Sequence, residues 1–179
     1  MDETALVSGC VEGDNFARKQ LYERYAQQMM AVCFRYVGNR EEAQDILHDG
    51  FIKIFESIRS FEYRGEGSLR AWMTRVFSNL ALQSLREQVF KEPLPLENIE
   101  DTEVEQEEVD NIPNEVLLGF ISELPVGYRT VFNQYVFEEM SHKEIAGSLG
   151  INESSSRSQL TRAKAILTTK IKAYRQQYG

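Results

Sequence analysis

Metal-binding and redox-active side chains are scarce in this chain of 179 residues. Its only cysteines are Cys10 and Cys33, and its only histidines are His48 and His142. The two cysteines do not form the close pair that zinc sites use, and no histidine pair stands at ligand spacing. The sequence therefore predicts no metal site and two free, buried thiols.

Long hydrophobic runs are also absent, although hydrophobic residues make up 42% of the chain. No apolar stretch approaches the roughly 20 residues that a membrane-spanning helix requires. The N-terminal residues Met1, Asp2 and Glu3 lack the basic start of a signal peptide. We therefore expect a cytoplasmic protein that has real hydrophobic cores and does not insert into a membrane.

Motifs of catalysis are missing as well. The sequence has no glycine-rich phosphate loop, no nucleophile elbow and no carboxylate–histidine constellation at motif spacing. It therefore predicts neither an enzyme nor a site for a cofactor or a small-molecule ligand.

Proline is rare, and its positions divide the chain. Three of the four prolines, Pro93, Pro95 and Pro113, lie in a stretch whose charged residues are almost all acidic. The formal charge is −2 for residues 1–90, −10 for 91–125 and +4 for 126–179, which together give the net −8 of the chain. We predict a first domain at 1–90, an acidic flexible linker at 91–114 and a second domain at 115–179. The linker is expected to be a solvated tether, with shielding of the basic C-terminal part as the alternative.

Both domains show the three-to-four periodicity of amphipathic helices, and no strand pattern extends beyond a few residues. The first domain is predicted to contain a long helix ending near Gly38, a second helix capped by Asn39 and a third beginning at Ser68. Gly50 lies inside the second pattern and is expected to weaken that helix locally. The fold class is therefore all-α, with two small helical domains.

The second domain is predicted to contain a helix-turn-helix. Ser141 and Glu144 have the spacing of a capping box, Gly150 is placed to end the first helix, and Asn152 is placed to cap the second. Ile151, between the two helices, is expected to be a buried plug. The helix before this motif, which begins at Pro125, is expected to bury one apolar face made of Tyr128, Val131, Phe132, Tyr135 and Val136.

The second helix of the motif carries short hydroxyls and long cations on one side. Such a helix suits a DNA major groove, where small polar side chains approach base edges and arginine reads guanine or holds phosphate. Arg157 is the first choice for base readout. The predicted duplex-contacting residues are Lys143, Ser154, Ser155, Arg157, Ser158, Arg162 and Lys164. A plain helical hairpin with a glycine turn is the alternative.

Three motifs in this order resemble those of a known family. They occupy residues 42–51, residues 68–79, and residues 124–132 running into the helix-turn-helix. Together they resemble the bacterial RNA polymerase sigma factors of the extracytoplasmic-function (ECF) type, in the sigma-70 family. The resemblance implies a sigma region 2 bundle and a sigma region 4 helix-turn-helix. It also implies core RNA polymerase and promoter DNA as partners, commonly with an anti-sigma factor.

The resemblance assigns roles to further residues. Residues implied to bind polymerase are Asp45, His48, Asp49 and Lys53. Residues implied to recognise and open the −10 element are Tyr63, Arg64, Arg70, Trp72, Arg75 and Asn79. By their residue types alone, Trp72 also suits a core position and the arginines suit a solvated surface. The chain departs from the family at Ser156, where an apolar residue is common, and we expect weaker packing between the two helices there.

Two other functions remain open at the level of the sequence. One is a stand-alone helix-turn-helix regulator whose N-terminal domain senses a ligand or dimerises. The other is a helical adaptor whose basic helix binds an acidic partner.

Overall fold

The computed structural model describes residues 1–89 and 110–178, and the chain divides into two compact units, Met1–Ser84 and Leu85–Gly179. Every regular element among the described residues is helical, as the all-α prediction requires. Most of the predicted acidic linker, residues 91–109, lies outside the described residues. Within the described parts of the chain, no helix is long and apolar enough to cross a membrane.

The N-terminal unit is built on four helices and a short 3-10 turn. They are α1 Glu3–Glu12, α2 Asn15–Val37, α3 Arg40–Ser57, the turn Ile58–Ser60, and α4, which spans Ser68–Val89. Helix α2 packs against α1 and α3, and the 3-10 turn packs against both α1 and α3. All four helices contribute to the core, since α4 also buries Leu69, Met73 and Phe77 completely.

The predicted helix boundaries in this unit are confirmed. Gly38 ends α2 in the left-handed conformation, with φ of 68°, which glycine adopts at little cost. The Asn39 side chain then caps α3, accepting from the backbone N–H groups of Glu41 at 2.9 Å and Glu42 at 3.1 Å. Helix α4 begins at Ser68, as predicted.

Gly50 has a role that differs from the prediction. It lies buried in an unbroken α3, and a Cβ built on it would stand 2.1 Å from the Phe77 ring of α4. Phe77 in turn meets Phe51 with ring centroids 5.3 Å apart. The glycine is there because α3 and α4 pack too closely for a side chain, and this packing outweighs its low helix propensity.

The two cysteines are free and buried, as predicted. Burial raises the pKa of the Cys33 thiol to about 12 and also raises the pKa of Cys10. Both thiols are therefore protonated and unreactive at neutral pH.

The described residues of the C-terminal unit form four helices and a π-helical turn. They are α5 Asn114–Ser122, α6 Val126–Phe132, the turn Asn133–Phe137, α7 His142–Leu149 and α8 Glu153–Tyr178. Helix α8 packs against α5, α6 and α7. Its buried core contains Ile121, Leu124, Tyr128, Ala163 and Leu167. Beside this core, Lys170 of α8 pairs with Glu123 at the end of α5.

Arg129 closes the turn between α5 and α6 from the inside. Its buried guanidinium donates to the backbone carbonyl of Ser122 at 2.8 Å and to that of Leu124 at 3.4 Å. Ser122 is the last residue of α5, where helices leave carbonyl acceptors unpaired, and Leu124 lies in the turn itself. An arginine in this motif therefore has a structural task.

The prediction that Tyr135 and Val136 belong to the core is wrong. They are 38% and 41% exposed, because the last turn of this helix widens into the π-helical segment Asn133–Phe137. A wider turn advances each residue less than 100° around the axis, so the apolar stripe leaves the core face. Ile151, predicted to be a buried plug, is also partly exposed.

Candidate nucleic-acid interface

The first helix of the helix-turn-helix is fixed at both ends by its own residues. The Ser141 hydroxyl accepts from the N–H of Glu144 at 3.1 Å, and the Glu144 carboxylate accepts from the N–H of Ser141 at 3.3 Å. Gly150 ends the helix with a φ of 68°. The predicted capping box and glycine stop are both confirmed, and they set where the second helix begins.

Asn152 organises the start of α8. Its side-chain oxygen accepts from the N–H of Ser155 at 2.7 Å and from the hydroxyl of Ser154 at 2.9 Å. Beyond this cap, Ser154, Arg157 and Ser158 are exposed on the first two turns. The helix therefore presents small hydroxyls and one guanidinium at its N-terminal end, which is the layout of a recognition helix.

Arg157 lies at the centre of this exposed surface. Its guanidinium is 3.6 Å from the Glu153 carboxylate, one turn earlier, and both side chains are about half exposed. An exposed pair of this kind is worth about 0.3–0.5 kcal/mol. Such a weak pair leaves Arg157 available to bind a base edge or a phosphate.

The other predicted duplex contacts differ in their exposure. Ser155 is partly buried, and its hydroxyl accepts from Gln159 at 3.2 Å. Arg162 is also partly buried and donates to the Tyr128 hydroxyl at 3.4 Å. Lys143 and Lys164 are both exposed. The structure therefore brings Lys143 and Lys164 to the surface with Arg157 and holds Arg162 closer to the core.

Sequence reasoning missed a group that joins the two helices of the motif. His142 Nδ1 lies 2.8 Å from the hydroxyl of the fully buried Ser156, and its ring stacks on Tyr135 with centroids 4.8 Å apart. The Lys164 ammonium lies 5.7 Å from the centroid of the same Tyr135 ring. The expectation that Ser156 weakens the helix packing is therefore incomplete, because its hydroxyl supplies a hydrogen bond between α7 and α8.

Burial lowers the pKa of His142, and the nearby Arg157 and Lys164 lower it further, while Glu153 acts in the opposite direction. The imidazole is therefore neutral at neutral pH, and its hydrogen bond with Ser156 joins two uncharged groups.

In the N-terminal unit, residues 61–67 form a loop before α4. Hydrogen bonds to Ser68, the first residue of α4, hold this loop. The Ser68 hydroxyl accepts from the N–H of Arg64 at 3.1 Å and donates to the carbonyl of Gly65 at 2.7 Å. Gly65 and Gly67 take φ values of 110° and 85°, which few other residues tolerate. We call this segment the 61–67 loop.

The side chains of the 61–67 loop point outward at its tip. Tyr63 is 42% exposed, and Arg64 is exposed and pairs with Glu62 at 3.1 Å. Trp72, on the first turns of α4, is partly buried against Phe61, with ring centroids 5.0 Å apart. Trp72 therefore packs against Phe61 at the start of the loop, while the ring of Tyr63 is accessible to solvent.

Helix α4 places its predicted residues on two different sides. Trp72, Arg75 and Asn79 fall within about 60° of one another around the axis, at 3.6 residues per turn. Arg70 lies about 160° from Trp72, on a side where its charge acts on Tyr25 of α2. Arg75 and Asn79 are therefore exposed on one side of α4, and Arg70 is exposed on another.

The predicted polymerase-facing residues share one surface of α3. Asp45, His48 and Asp49 are exposed on the side opposite the buried Ile54. Lys53 is also exposed, at the edge of this surface. Ile52, which sequence reasoning did not single out, is 46% exposed among them. The surface therefore combines acidic groups with one apolar side chain, which suits contact with another protein.

Two family models match this chain. Residues 21–90 match sigma-70 region 2, and residues 114–167 match sigma-70 region 4. The chain is 29% identical to the ECF RNA polymerase sigma-E factor of Haemophilus influenzae, with 96% of each chain covered. It is 25% identical to the ECF RNA polymerase sigma factor SigW of Bacillus subtilis, over 90% of this chain and 92% of that one.

A solved structure shares the fold. It is CnrH in complex with the cytosolic domain of CnrY, with a TM-score of 0.52, 20% identity, and coverage of 94% of this chain and 96% of that chain. The two region models, the ECF relatives and the helix-turn-helix geometry all agree. The chain therefore belongs to the ECF subfamily of the sigma-70 factors, which direct RNA polymerase to promoters.

Proposed function

We propose that the two units of this ECF sigma factor divide promoter recognition between them. The C-terminal unit reads the −35 element as duplex, and the N-terminal unit binds core polymerase and captures the opened strand of the −10 element. The chain itself makes and breaks no covalent bond, because it acts by binding closed and open promoter DNA with different affinities. It works in the cytoplasm, where the polymerase is.

The geometry of α8 carries the proposal. Ser154, Arg157 and Ser158 are exposed, whereas Ser156 and Leu160 are buried on the other side of the same turns. A helix anchored in this way can enter a major groove with its N-terminal end first. Lys143 and Lys164 then contact phosphates on either side, which fixes the register of the helix on the duplex.

Strand capture is supported by the 61–67 loop and α4. A base that leaves the stack is held by an aromatic face and by hydrogen bonds to its edge. Tyr63 supplies the aromatic face, Asn79 supplies amide donors and acceptors, and Arg64 and Arg75 supply charge for the backbone. Arg70 lies on another side of α4 and is proposed to contact the strand only outside this pocket.

Polymerase binding is supported by the exposed surface of α3. Asp45, Asp49 and His48 offer hydrogen-bonding groups around the apolar Ile52, with Lys53 at the margin. By family membership, the partner is a helical element of the polymerase's largest subunit, which a helix face of this kind can bind. We further propose an anti-sigma factor as the regulator, since the related CnrH was solved with a bound partner domain.

Gel-shift experiments with a promoter fragment test this division. The chain with core polymerase should form a salt-sensitive, promoter-specific complex, and the chain alone should form none. A specific complex formed by the chain alone would instead support a stand-alone regulator. The comparisons give that alternative no support, because each unit matches a sigma region.

A further inference from the structure

A buried carboxylate lies directly behind the 61–67 loop. Glu3, in the first turn of α1, is only 6% exposed. One of its oxygens accepts from the hydroxyl of Tyr25 in α2 at 3.0 Å, and the other accepts from the backbone N–H of Gly67 at 3.1 Å. Glu3 therefore ties together two helices and a loop that is 64 residues away in sequence.

Burial of a carboxylate is costly unless both oxygens find donors. Here the donors are supplied by Tyr25 and by the residue that immediately precedes α4, so the charge also faces the positive end of that helix. The Tyr25 hydroxyl is held as a donor, since burial and the Glu3 carboxylate both raise its pKa. Glu3, Tyr25 and Gly67 therefore form one hydrogen-bonded set, in which each carboxylate oxygen has a donor.

The set fixes the loop from its inner side. Gly67 takes a φ of 85°, and its carbonyl accepts from the N–H of Ala71 at 3.0 Å, so its amide orientation also sets the start of α4. On the outer side, the Ser68 hydroxyl holds Arg64 and Gly65. With both sides fixed, the loop presents Tyr63 and Arg64 without further ordering, which lowers the entropic cost of capturing a base.

We infer that Glu3 is a positioning residue for strand capture, acting through the Gly67 amide. This inference rests on the proposed function. Glu3 touches no DNA, and its contribution is the placement of the loop that does.

Three substitutions separate positioning from ordinary folding. Glu3→Met keeps the volume of the side chain and removes both acceptors. Glu3→Gln keeps an oxygen for the Gly67 N–H and can donate its amide to the Tyr25 hydroxyl. Tyr25→Phe removes only the bond on the helix side, and Glu12→Gln changes an exposed acid on the same helix as a control.

Each variant is measured in complex with core polymerase for binding of a single-stranded −10 oligonucleotide. We expect Glu3→Met to weaken this binding about tenfold, the order of one charge-assisted hydrogen bond, while core affinity is unchanged. Glu3→Gln should restore most of the binding, and Glu12→Gln should bind as the native chain does. Tyr25→Phe should lose much less binding than Glu3→Met, because the bond from Glu3 to the Gly67 amide remains. Emission of Trp72, the only tryptophan of this chain, reports the thermal unfolding of this unit in each purified variant before core polymerase is added.

Equal oligonucleotide binding by Glu3→Met and the native chain would overturn the inference. So would a loss in Tyr25→Phe as large as that in Glu3→Met, because it would indicate general destabilisation. If Glu3→Met does not fold, exchange of the Gly67 amide in the native chain decides, and fast exchange contradicts the contact. If the native chain itself fails to bind with core polymerase, the proposed function is overturned and this inference falls with it.

Discussion

The two regions proposed to meet DNA are held by hydrogen bonds of very different reach. In the helix-turn-helix, Ser141 bonds Glu144 and Asn152 bonds Ser155, each three residues apart. The 61–67 loop instead depends on Glu3, 64 residues earlier in the chain. The caps of the helix-turn-helix are therefore specified locally, whereas the loop requires a distant residue in addition to its local bonds to Ser68.

Charge separates the two regions in the same way. Residues 126–179 carry a formal +4, and residues 1–90 carry −2. Duplex binding through phosphates releases counterions and weakens steeply with salt. Capture of a base by stacking and hydrogen bonds depends less on salt, so the two steps of promoter recognition are expected to respond differently to ionic strength.

The largest effect is expected on polymerase binding. Asp45→Lys reverses a charge on the exposed α3 surface, and like charges meeting at an interface cost about 3 kcal/mol or more. We expect co-purification with core polymerase to be lost. Glu12→Lys, an equal change on the exposed end of α1, should bind normally. Retained binding by Asp45→Lys would place the contact elsewhere.

The next effect tests the dependence of the N-terminal unit on long-range packing. Gly50→Ala would drive a Cβ into the Phe77 ring and should destabilise this unit by about 3 kcal/mol. Gly147→Ala in α7 meets open space and should instead stabilise the C-terminal unit by up to about 1 kcal/mol. Thermal unfolding followed by Trp72 emission and by far-UV circular dichroism measures both. If the two substitutions changed the stability of their units equally, the proposed difference in packing between the units would be contradicted.

Duplex readout is tested at Arg157. Arg157→Ala should weaken recognition of the −35 element by about 1–3 kcal/mol, because it removes the guanidinium at the centre of the exposed turns of α8. Transcription from promoters with native and altered −35 sequences measures the loss and its sequence dependence. Lys172→Ala, near the far end of the same helix, is the control. Unchanged discrimination between the promoters would contradict the assignment.

A smaller effect is expected from Asn79→Ala. Loss of one amide hydrogen bond to an extruded base costs about 1 kcal/mol, so polymerase binding should persist while strand opening is impaired. Permanganate reactivity of thymines in the −10 region reports the opening. Gln27→Ala removes an exposed amide from α2 and serves as the control. If Asn79→Ala shows the permanganate reactivity of the native chain, Asn79 does not contact the extruded base.

The smallest effect is a pH dependence of the C-terminal unit. The pKa of His142 is lowered in the folded unit, so the unfolded chain, whose histidine titrates near 6.5, takes up the proton first. The stability linked to this group is present above that pH and is lost as pH falls through the folded pKa. Unfolding of the native chain and of His142→Gln between about pH 7.5 and 5.5 should show the steeper loss in the native chain. Parallel curves would contradict it.

The sequence predicts most of the fold because its signals are local. The caps at Asn39, Ser141 and Asn152 and the stop at Gly150 each involve residues that are close in the chain, so pattern and structure coincide. The resemblance also placed the family correctly. The site residues that it implied stay predictions, although the structure places Arg75 and Asn79 on one side of α4 and Arg70 on another.

The features that sequence reasoning missed arise from contacts between distant residues or from irregular backbone. Glu3 looks like an ordinary acid in a first helical turn, and nothing near it in the sequence points to Gly67. In the sequence, Gly50 is only a residue of low helix propensity, and its close packing against Phe77 is seen only in the structure. Tyr135 leaves the core because it lies in the π-helical segment Asn133–Phe137, and a regular helical repeat cannot signal that.

Mapping of RNA 5′ ends tests the central claim most directly. Core polymerase is supplied with the purified chain and a library of genomic fragments, and the transcripts are compared with those of core polymerase alone. The account predicts new, discrete start sites that share two conserved elements upstream, and it predicts that Arg157→Ala relaxes only the farther one. A transcript profile identical to that of core polymerase alone would contradict it.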